Sequence, residues 1–275
     1  AEELLKKKYK EGVVSGYPDG TFRPDDPLLF EELVTIVNRS FGLSKSDESG
    51  LGAIDDSRWY KDETDKVAYY HYLTSNEFRS GEPAKLVDVL HMISNLMNIE
   101  YDDSGESYFD TDSFSKEDKV LFNKFAELGY LNENLSDINQ VLTRAQLVDV
   151  TENVLGYIVK DQGDVANIPS DRRVTVVGQN IVIENKQISQ LNIVPGVHSE
   201  TVIKNSWIEG SVNIMNEGTG GRLILDHSFV AELKVKERSR NLLVDIKNKS
   251  MIGVMVTENK GRVSGDSSVS VKNLI

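Results

Sequence analysis

The chain has 275 residues, 39% of them hydrophobic, no cysteine, and a formal net charge of −13 from 44 acidic and 31 basic residues. That length accommodates roughly two domains with packed cores. The missing cysteines exclude disulfides and thiolate metal sites, and no run reaches the ~18 consecutive apolar residues of a membrane span. The acidic excess is concentrated, with 31 acidic against 17 basic residues through Lys160 and 13 against 14 beyond it. The first part therefore repels phosphate backbones, and neither part carries the basic stripe with interleaved aromatics of a nucleic-acid binder. Ala1 to Lys8 lacks the basic-then-apolar order of a signal peptide, so the chain as given is expected to be soluble.

In chain order, a helix within Ala1 to Glu11 leads through Gly12-Val13-Val14 into Gly16-Tyr17-Pro18-Asp19-Gly20-Thr21-Phe22-Arg23-Pro24-Asp25. Pro18 presets φ for the second position of a β-turn, Asp19 can bond its own backbone, and Gly20 closes the corner without a Cβ clash. Phe22 supplies an apolar anchor, and Asp25-Asp26-Pro27 offers a helix start. A helix from about Glu31 to Phe41 carries Leu33, Ile36 and Val37 on one face. A second helix–loop–helix segment begins at Ile54-Asp55-Asp56-Ser57-Arg58-Trp59-Tyr60-Lys61. It passes through Glu77-Phe78-Arg79, which mimics Thr21-Phe22-Arg23, into a helix with Leu86, Val89, Leu90 and Ile93. A third begins near Phe109-Asp110, continues as a helix from Ser115 to Leu128 ended by Gly129, and reaches Leu142-Thr143-Arg144-Ala145-Gln146-Leu147.

The Gly16 to Asp25 segment closely resembles the signature of the surface-layer homology (SLH) module, a helix–loop–helix unit of bacterial cell-surface proteins. Leu142-Thr143-Arg144-Ala145-Gln146 is similar to that family's Ile-Thr-Arg-Ala-Glu, with Gln for Glu, and Trp59 follows the acidic turn with which the family's modules begin. Departures are equally visible: the second segment lacks the Gly-Tyr-Pro-Asp-Gly loop, Phe30 stands where the family has Arg, and Lys85 is the corresponding residue in the second segment. The resemblance implies three modules, about 1–45, 50–100 and 106–157, in a pseudo-threefold bundle with grooves between them, and begins the chain inside a module. It further implies a groove ligand, an anionic, pyruvylated secondary cell-wall polysaccharide.

From Val174 the pattern alternates, with Val, Ile and Leu in short runs separated by polar turns. Ser206, Ser228, Ser250 and Ser268 recur about every 20 residues, each followed by a large or branched apolar residue, which is the period of a parallel β-solenoid coil. The fold class expected is thus α+β and multidomain: an all-α SLH bundle over 1–160, a linker over 161–172, and a C-terminal β-solenoid over 173–275. Such solenoids occur beside SLH modules in other exported bacterial proteins.

For polysaccharide binding the candidates are Arg144, Trp59, Gly16, Tyr17, Asp19, Gly20, Arg23, Lys61 and Thr143. A planar guanidinium can hold a carboxylate bidentately. The alternative is that Thr143 and Gln146 form a capping box and Arg144 is an ordinary solvated first-turn residue. Trp59 either stacks on a sugar face or packs in a core at a module junction. Gly16, Tyr17, Asp19, Gly20 and Arg23 belong to a loop whose family counterpart borders the groove; Asp19 and Gly20 serve equally well as a rigid corner. Phe114 is the nearest third-segment equivalent of Trp59, but its spacing to Gly129 is longer than the family pattern. The acidic cluster Asp102, Asp103, Asp110 and Asp112 lacks EF-hand spacing, and His71, His91, His198 and His227 match no ligand or triad spacing. Gly218-Thr219-Gly220-Gly221 lies between alternating runs and reads as a solenoid turn. No metal or cofactor is expected.

The function expected is that of a non-catalytic extracellular protein of the bacterial surface, anchored to the cell wall, with the solenoid as spacer or interaction surface and other surface-layer proteins as further partners. Its rivals are an SLH-derived protein-interaction module and a β-helix enzyme acting on polysaccharide.

Overall fold

A computed structural model describes residues 2–44, 54–97, 99, 101, 115–194, 199–215, 221–235, 242–257, 262–268 and 270–274. Phe109, Asp110, Phe114, the Asp102–Asp112 cluster, His198 and Gly218–Gly220 lie outside the described residues. The chain divides into two units, one of Ala1–Phe41 with Lys45–Val154 and one of Gly42–Ser44 with Leu155–Ile275.

The first unit is helical: α1 (Glu2–Lys10), α2 (Phe30–Ser40), α3 (Lys61–Tyr70), α4 (Leu86–Met97), α5 (Lys116–Glu127) and α6 (Arg144–Leu155). Apolar residues at helical spacing make the core, with Leu33, Ile36 and Val37 of α2 and Leu86, Val89, Leu90 and Ile93 of α4 all buried. Ser115 caps α5 by accepting from the Asp118 amide, and Gly129 follows that helix in the left-handed region at φ 69°.

The three second helices, α2, α4 and α6, share one approach. Leu28, Ala84 and Leu142 are fully buried just before them, and their backbones form a closed ring: Leu28 N–H donates to Leu142 O (2.8 Å), Leu142 N–H to Ala84 O (2.9 Å), and Ala84 N–H to Leu28 O (2.8 Å). Burial leaves these amides no water, so each segment needs the other two. Isolated antiparallel bridges flank the ring, Pro27 with Thr143, Leu29 with Pro83, and Lys85 with Val141. Pro27 is therefore a bridge residue rather than part of the helix start, and the helix runs from Phe30 to Ser40, close to the Glu31–Phe41 expected from sequence. A buried Lys8 joins the first helix to the last, reaching the partly exposed carboxylates of both Glu11 (3.0 Å) and Glu152.

The second unit is a parallel β-solenoid. In chain order its strands are β1 (Tyr157–Val159), β2 (Arg173–Val176), β3 (Ile181–Glu184), β4 (Gln187–Ile188), β5 (Gln190–Ile193), β6 (Glu200–Lys204), β7 (Trp207–Ile214), β8 (Arg222–Asp226), β9 (Phe229–Val235), β10 (Leu243–Lys247), β11 (Met251–Thr257), β12 (Arg262–Gly265) and β13 (Ser270–Leu274). One sheet runs β1-β2-β5-β7-β9-β11-β13 with β4 on β7, and the other runs β3-β6-β8-β10-β12. Register places Leu191, Val212, Leu233 and Met255 in one inward column and Ile183, Ile203, Leu225 and Ile246 in the facing one, all buried.

The recurring serines have a physical role that the period alone does not reveal. Ser206 N–H donates to Ser228 Oγ and Ser228 N–H to Ser250 Oγ, both at 3.1 Å, while Ser228 Oγ donates to Ile203 O at 3.0 Å. Each hydroxyl satisfies a corner amide of the coil before it, in a position too buried for water. The residue before each serine, Asn205, His227 or Lys249, adopts a positive φ (47°, 48° and 62°), which makes the corner.

The expected linker over 161–172 requires correction, because much of it belongs to the solenoid. β1 already pairs with β2, Tyr157 opposite Val174 and Val159 opposite Val176. A 3-10 helix over Gln162–Asn167 follows, and Val165 and Ile168 join the solenoid core. Gln162 imitates a strand: its amide donates to Val182 O and accepts from Val182 N–H, both at 2.8 Å. The polar composition of 161–172 concealed two apolar residues that cover this part of the core.

Candidate functional site

The loop Gly16–Asp25 is a tight turn, with Gly20 N–H donating to Tyr17 O and Tyr17 N–H to Thr21 O, both at 2.9 Å. Gly20 takes φ 80°, which a side chain rarely tolerates. Asp19 ties the corner by accepting from the Thr21 hydroxyl (2.6 Å), the Thr21 amide (2.9 Å) and Arg23 (2.9 Å). These contacts, the Thr21 hydroxyl foremost, hold its carboxyl well below the usual carboxylate range. Arg23 in turn lies over the Tyr17 ring, 4.0 Å from its centroid. Asp19, Gly20 and Arg23 thus build the loop; Tyr17 and Gly16 are what it presents.

An open cleft beside this loop is lined by Val13, Ser15, Gly16, Tyr17, Glu32, Thr35, Ile36, Arg39, Trp59 and Arg144. Four of the candidates read from sequence meet there: Gly16, Tyr17, Trp59 and Arg144. Trp59 stands 62% exposed, touching Tyr60 edge-on at 5.4 Å, so the alternative of core packing does not describe it. Lys61 is elsewhere, paired with Asp65 one turn along α3. Thr143 does form the expected capping box, its N–H donating to Gln146 Oε1 (2.9 Å) and its Oγ1 accepting from Gln146 N–H (3.3 Å).

Arg144 differs from expectation. At 4% exposed, it is not the ordinary solvated first-turn residue of the alternative reading. Its Nε donates to Phe22 O (3.1 Å), Nη1 to Glu32 Oε1 (2.6 Å) and Nη2 to Ser15 O (2.7 Å), and the guanidinium lies 5.1 Å from the Tyr17 ring centroid. As the first residue of α6 it is carried by the backbone ring into the Gly16–Asp25 loop, where two carbonyls and one carboxylate meet it. Tyr17 adds its hydroxyl to the same Glu32 oxygen at 3.2 Å, and burial, then Glu32, pushes that phenol up.

The three equivalent helix starts also correct the sequence register. Leu29 N–H donates to Glu32 (3.1 Å), Lys85 N–H to Asp88 (2.8 Å) and Thr143 N–H to Gln146, so Lys85 matches Thr143. The counterparts of Arg144 are Phe30 and Leu86. Both are buried and apolar; Phe30 meets Phe78 edge-to-face at 5.7 Å beneath the Arg79 guanidinium.

Sequence reading missed Ser15, Glu32 and Arg39. Glu32, Thr35, Ile36 and Arg39 follow the i, i+3, i+4, i+7 spacing of one helical stripe, a signal present in the chain but eclipsed by the apolar stripe beside it. Arg39 is oriented by Glu63, which a buried network fixes: Asn38 donates to Glu63 O (2.9 Å) and Oε2 (3.0 Å), and Tyr72 donates to Asn38. Burial first, and then Glu63, raises the Tyr72 phenol well above its ordinary value.

No curated protein matches the chain. No helix among the described residues is long and apolar enough to cross a membrane. Residues 6–34 match the family model described as the S-layer homology domain, a stretch that takes in the end of α1, the Gly16–Asp25 loop and the start of α2 with Glu32. The chain thus carries an S-layer homology domain, of the kind that attaches proteins to the cell wall, together with a parallel β-solenoid.

Proposed function

We propose that this is a non-enzymatic bacterial surface protein whose helical unit holds secondary cell-wall polysaccharide in the cleft between Tyr17 and Trp59. The three helix pairs act as three SLH modules related by a pseudo-threefold axis, and the polymer is anionic, its sugars carrying ketal-linked pyruvate. The observation that carries the reading is the cleft itself: an exposed indole beside a rigid, glycine-bearing loop and the partly exposed Arg39 offers a stacking face and polar donors together. The solenoid serves as spacer or interaction surface.

Sedimentation of the full chain with purified wall sacculi, before and after chemical removal of their secondary polymer, is the test. Retention should depend on the polymer and fall at least about tenfold in Trp59→Ala, with melting unchanged because exposed side chains usually move stability by less than about 0.5 kcal/mol. Polymer-independent retention rejects the reading. A second reading, a module docking other surface-layer proteins, draws on the apolar filling of the other two helix starts by Phe30 and Leu86; binding to a surface protein but not to sacculi would favour it.

A further inference from the structure

We infer that Arg39, together with the Ser15 hydroxyl, is the carboxylate-binding pair of the cleft, and that Arg144 is a positioning residue that never meets the sugar. The inference rests on the wall-polysaccharide reading above and names the groups that would give it selectivity for acidic sugars.

Arg144 has little left to offer a ligand. All three of its nitrogens already donate, its charge faces Glu32 at 2.6 Å, and its side chain is 5% exposed. A carboxylate reaching it would have to displace Glu32 and strip two backbone carbonyls of their donor. Arg39 is different. Its side chain is 33% exposed, its Nε reaches Glu63 at a long 3.4 Å, and its Nη1 donates to Ser15 Oγ at 2.9 Å. Among the described residues its Nη2 donates to none. Glu63 is also held by Lys66 at 2.9 Å, so two cations share one carboxylate and positive charge remains at the cleft. An anion there gains a charge-assisted contact without breaking a buried pair.

Ser15 links the two arginines. Its carbonyl accepts from Arg144 and its Oγ accepts from Arg39, which leaves the exposed Ser15 hydroxyl proton to donate to a carboxylate oxygen beside the Arg39 fork. Arg144 therefore acts through Ser15, holding in place the group that orients Arg39. With the sugar ring against Trp59, its acidic substituent would point to the end of the α2 stripe.

The test uses the full chain and secondary polymer released from purified walls, either native or after mild acid has removed its ketal-linked carboxylates. Wild type should bind native polymer about 10- to 100-fold more tightly than treated polymer. Arg39→Gln should bind both equally, at the weaker level, and Ser15→Ala should lose several-fold on native polymer alone. Arg144→Lys should lower the melting temperature and, because Ser15 is held less firmly, weaken native polymer somewhat more than treated polymer, shrinking their ratio without abolishing it. Discrimination that survives Arg39→Gln and Ser15→Ala, or is abolished by Arg144→Lys alone, overturns the inference. Equal binding of both polymers by wild type overturns it while leaving the wall-sugar reading standing, and binding of neither removes both.

Discussion

The equivalent helix starts of the helical unit carry Phe30, Leu86 and Arg144, whereas the equivalent corners of the solenoid carry Ser206, Ser228 and Ser250, and every one of the six is buried. The difference lies in what the backbone asks of each position. At a solenoid corner the amide of one coil has the hydroxyl of the next as its acceptor, so the same demand recurs at each coil. At a helix start the demand is met elsewhere, by the ring through Leu28, Ala84 and Leu142 and by the side chains of Glu32, Asp88 and Gln146. The first helical residue needs only to fill space, so it can be aromatic at one start, aliphatic at another and charged at the third. Repetition in the solenoid holds the structure, while at the Arg144 helix start a charged residue stands beside a polar cleft.

The sharpest challenge to this contrast is a charge in a solenoid column. Leu233→Asp should destabilise that unit by several kcal/mol, since a fully buried position forfeits apolar burial and desolvates a carboxylate. Circular dichroism during thermal unfolding should show the strand signal lost at lower temperature with the helical signal retained; a common transition would mean that the two units unfold together.

At the helix starts, Arg144→Leu copies the residue of the second pair and should still cost about 3–5 kcal/mol, because Glu32 is left without its cation and two carbonyls without donors. Adding Glu32→Gln should recover part of that loss, measured as a double-mutant cycle on the helical transition. A neutral Arg144→Leu would show that the three starts are interchangeable after all.

Ser228→Ala should cost about 1–3 kcal/mol, because the Ser206 amide loses its buried acceptor. Ser268→Ala, at an exposed corner, should stay within about 0.5 kcal/mol. Chemical denaturation of both variants checks the difference, and equal effects would break the serine argument.

The smallest effect is one of pH. The Ser264 hydroxyl first, then Arg222 and Lys247, lower the Asp245 carboxyl to about 2. A carboxyl depressed on folding stabilises above its unfolded value of 3.8 and loses that contribution as pH falls towards 2. Solenoid melting should therefore drop between about pH 4 and pH 2, and Asp245→Asn should flatten that part of the profile.

Much of this was legible in the chain. The Gly16–Asp25 turn, the buried stripes of α2 and α4, and the change to alternation with serine every 20 residues or so depend on neighbours in sequence or on simple translation. The capping box at Thr143 was equally local. Less legible was the fate of 161–172, because Val165 and Ile168 show no period and gain meaning only once strands are stacked against them. The match of Lys85 to Thr143, and not to Arg144, emerged only from the hydrogen bonds at the helix starts.

The sequence by itself determined the element types, the rigid loop and the solenoid repeat, since φ preference, apolar period and capping act over a few residues. Only the tertiary structure decided that Arg144 is buried while Arg39 faces the cleft. Ser15 and Arg144 stand 129 residues apart, and whether a guanidinium is free for a ligand depends on which distant carbonyls and carboxylates already satisfy it.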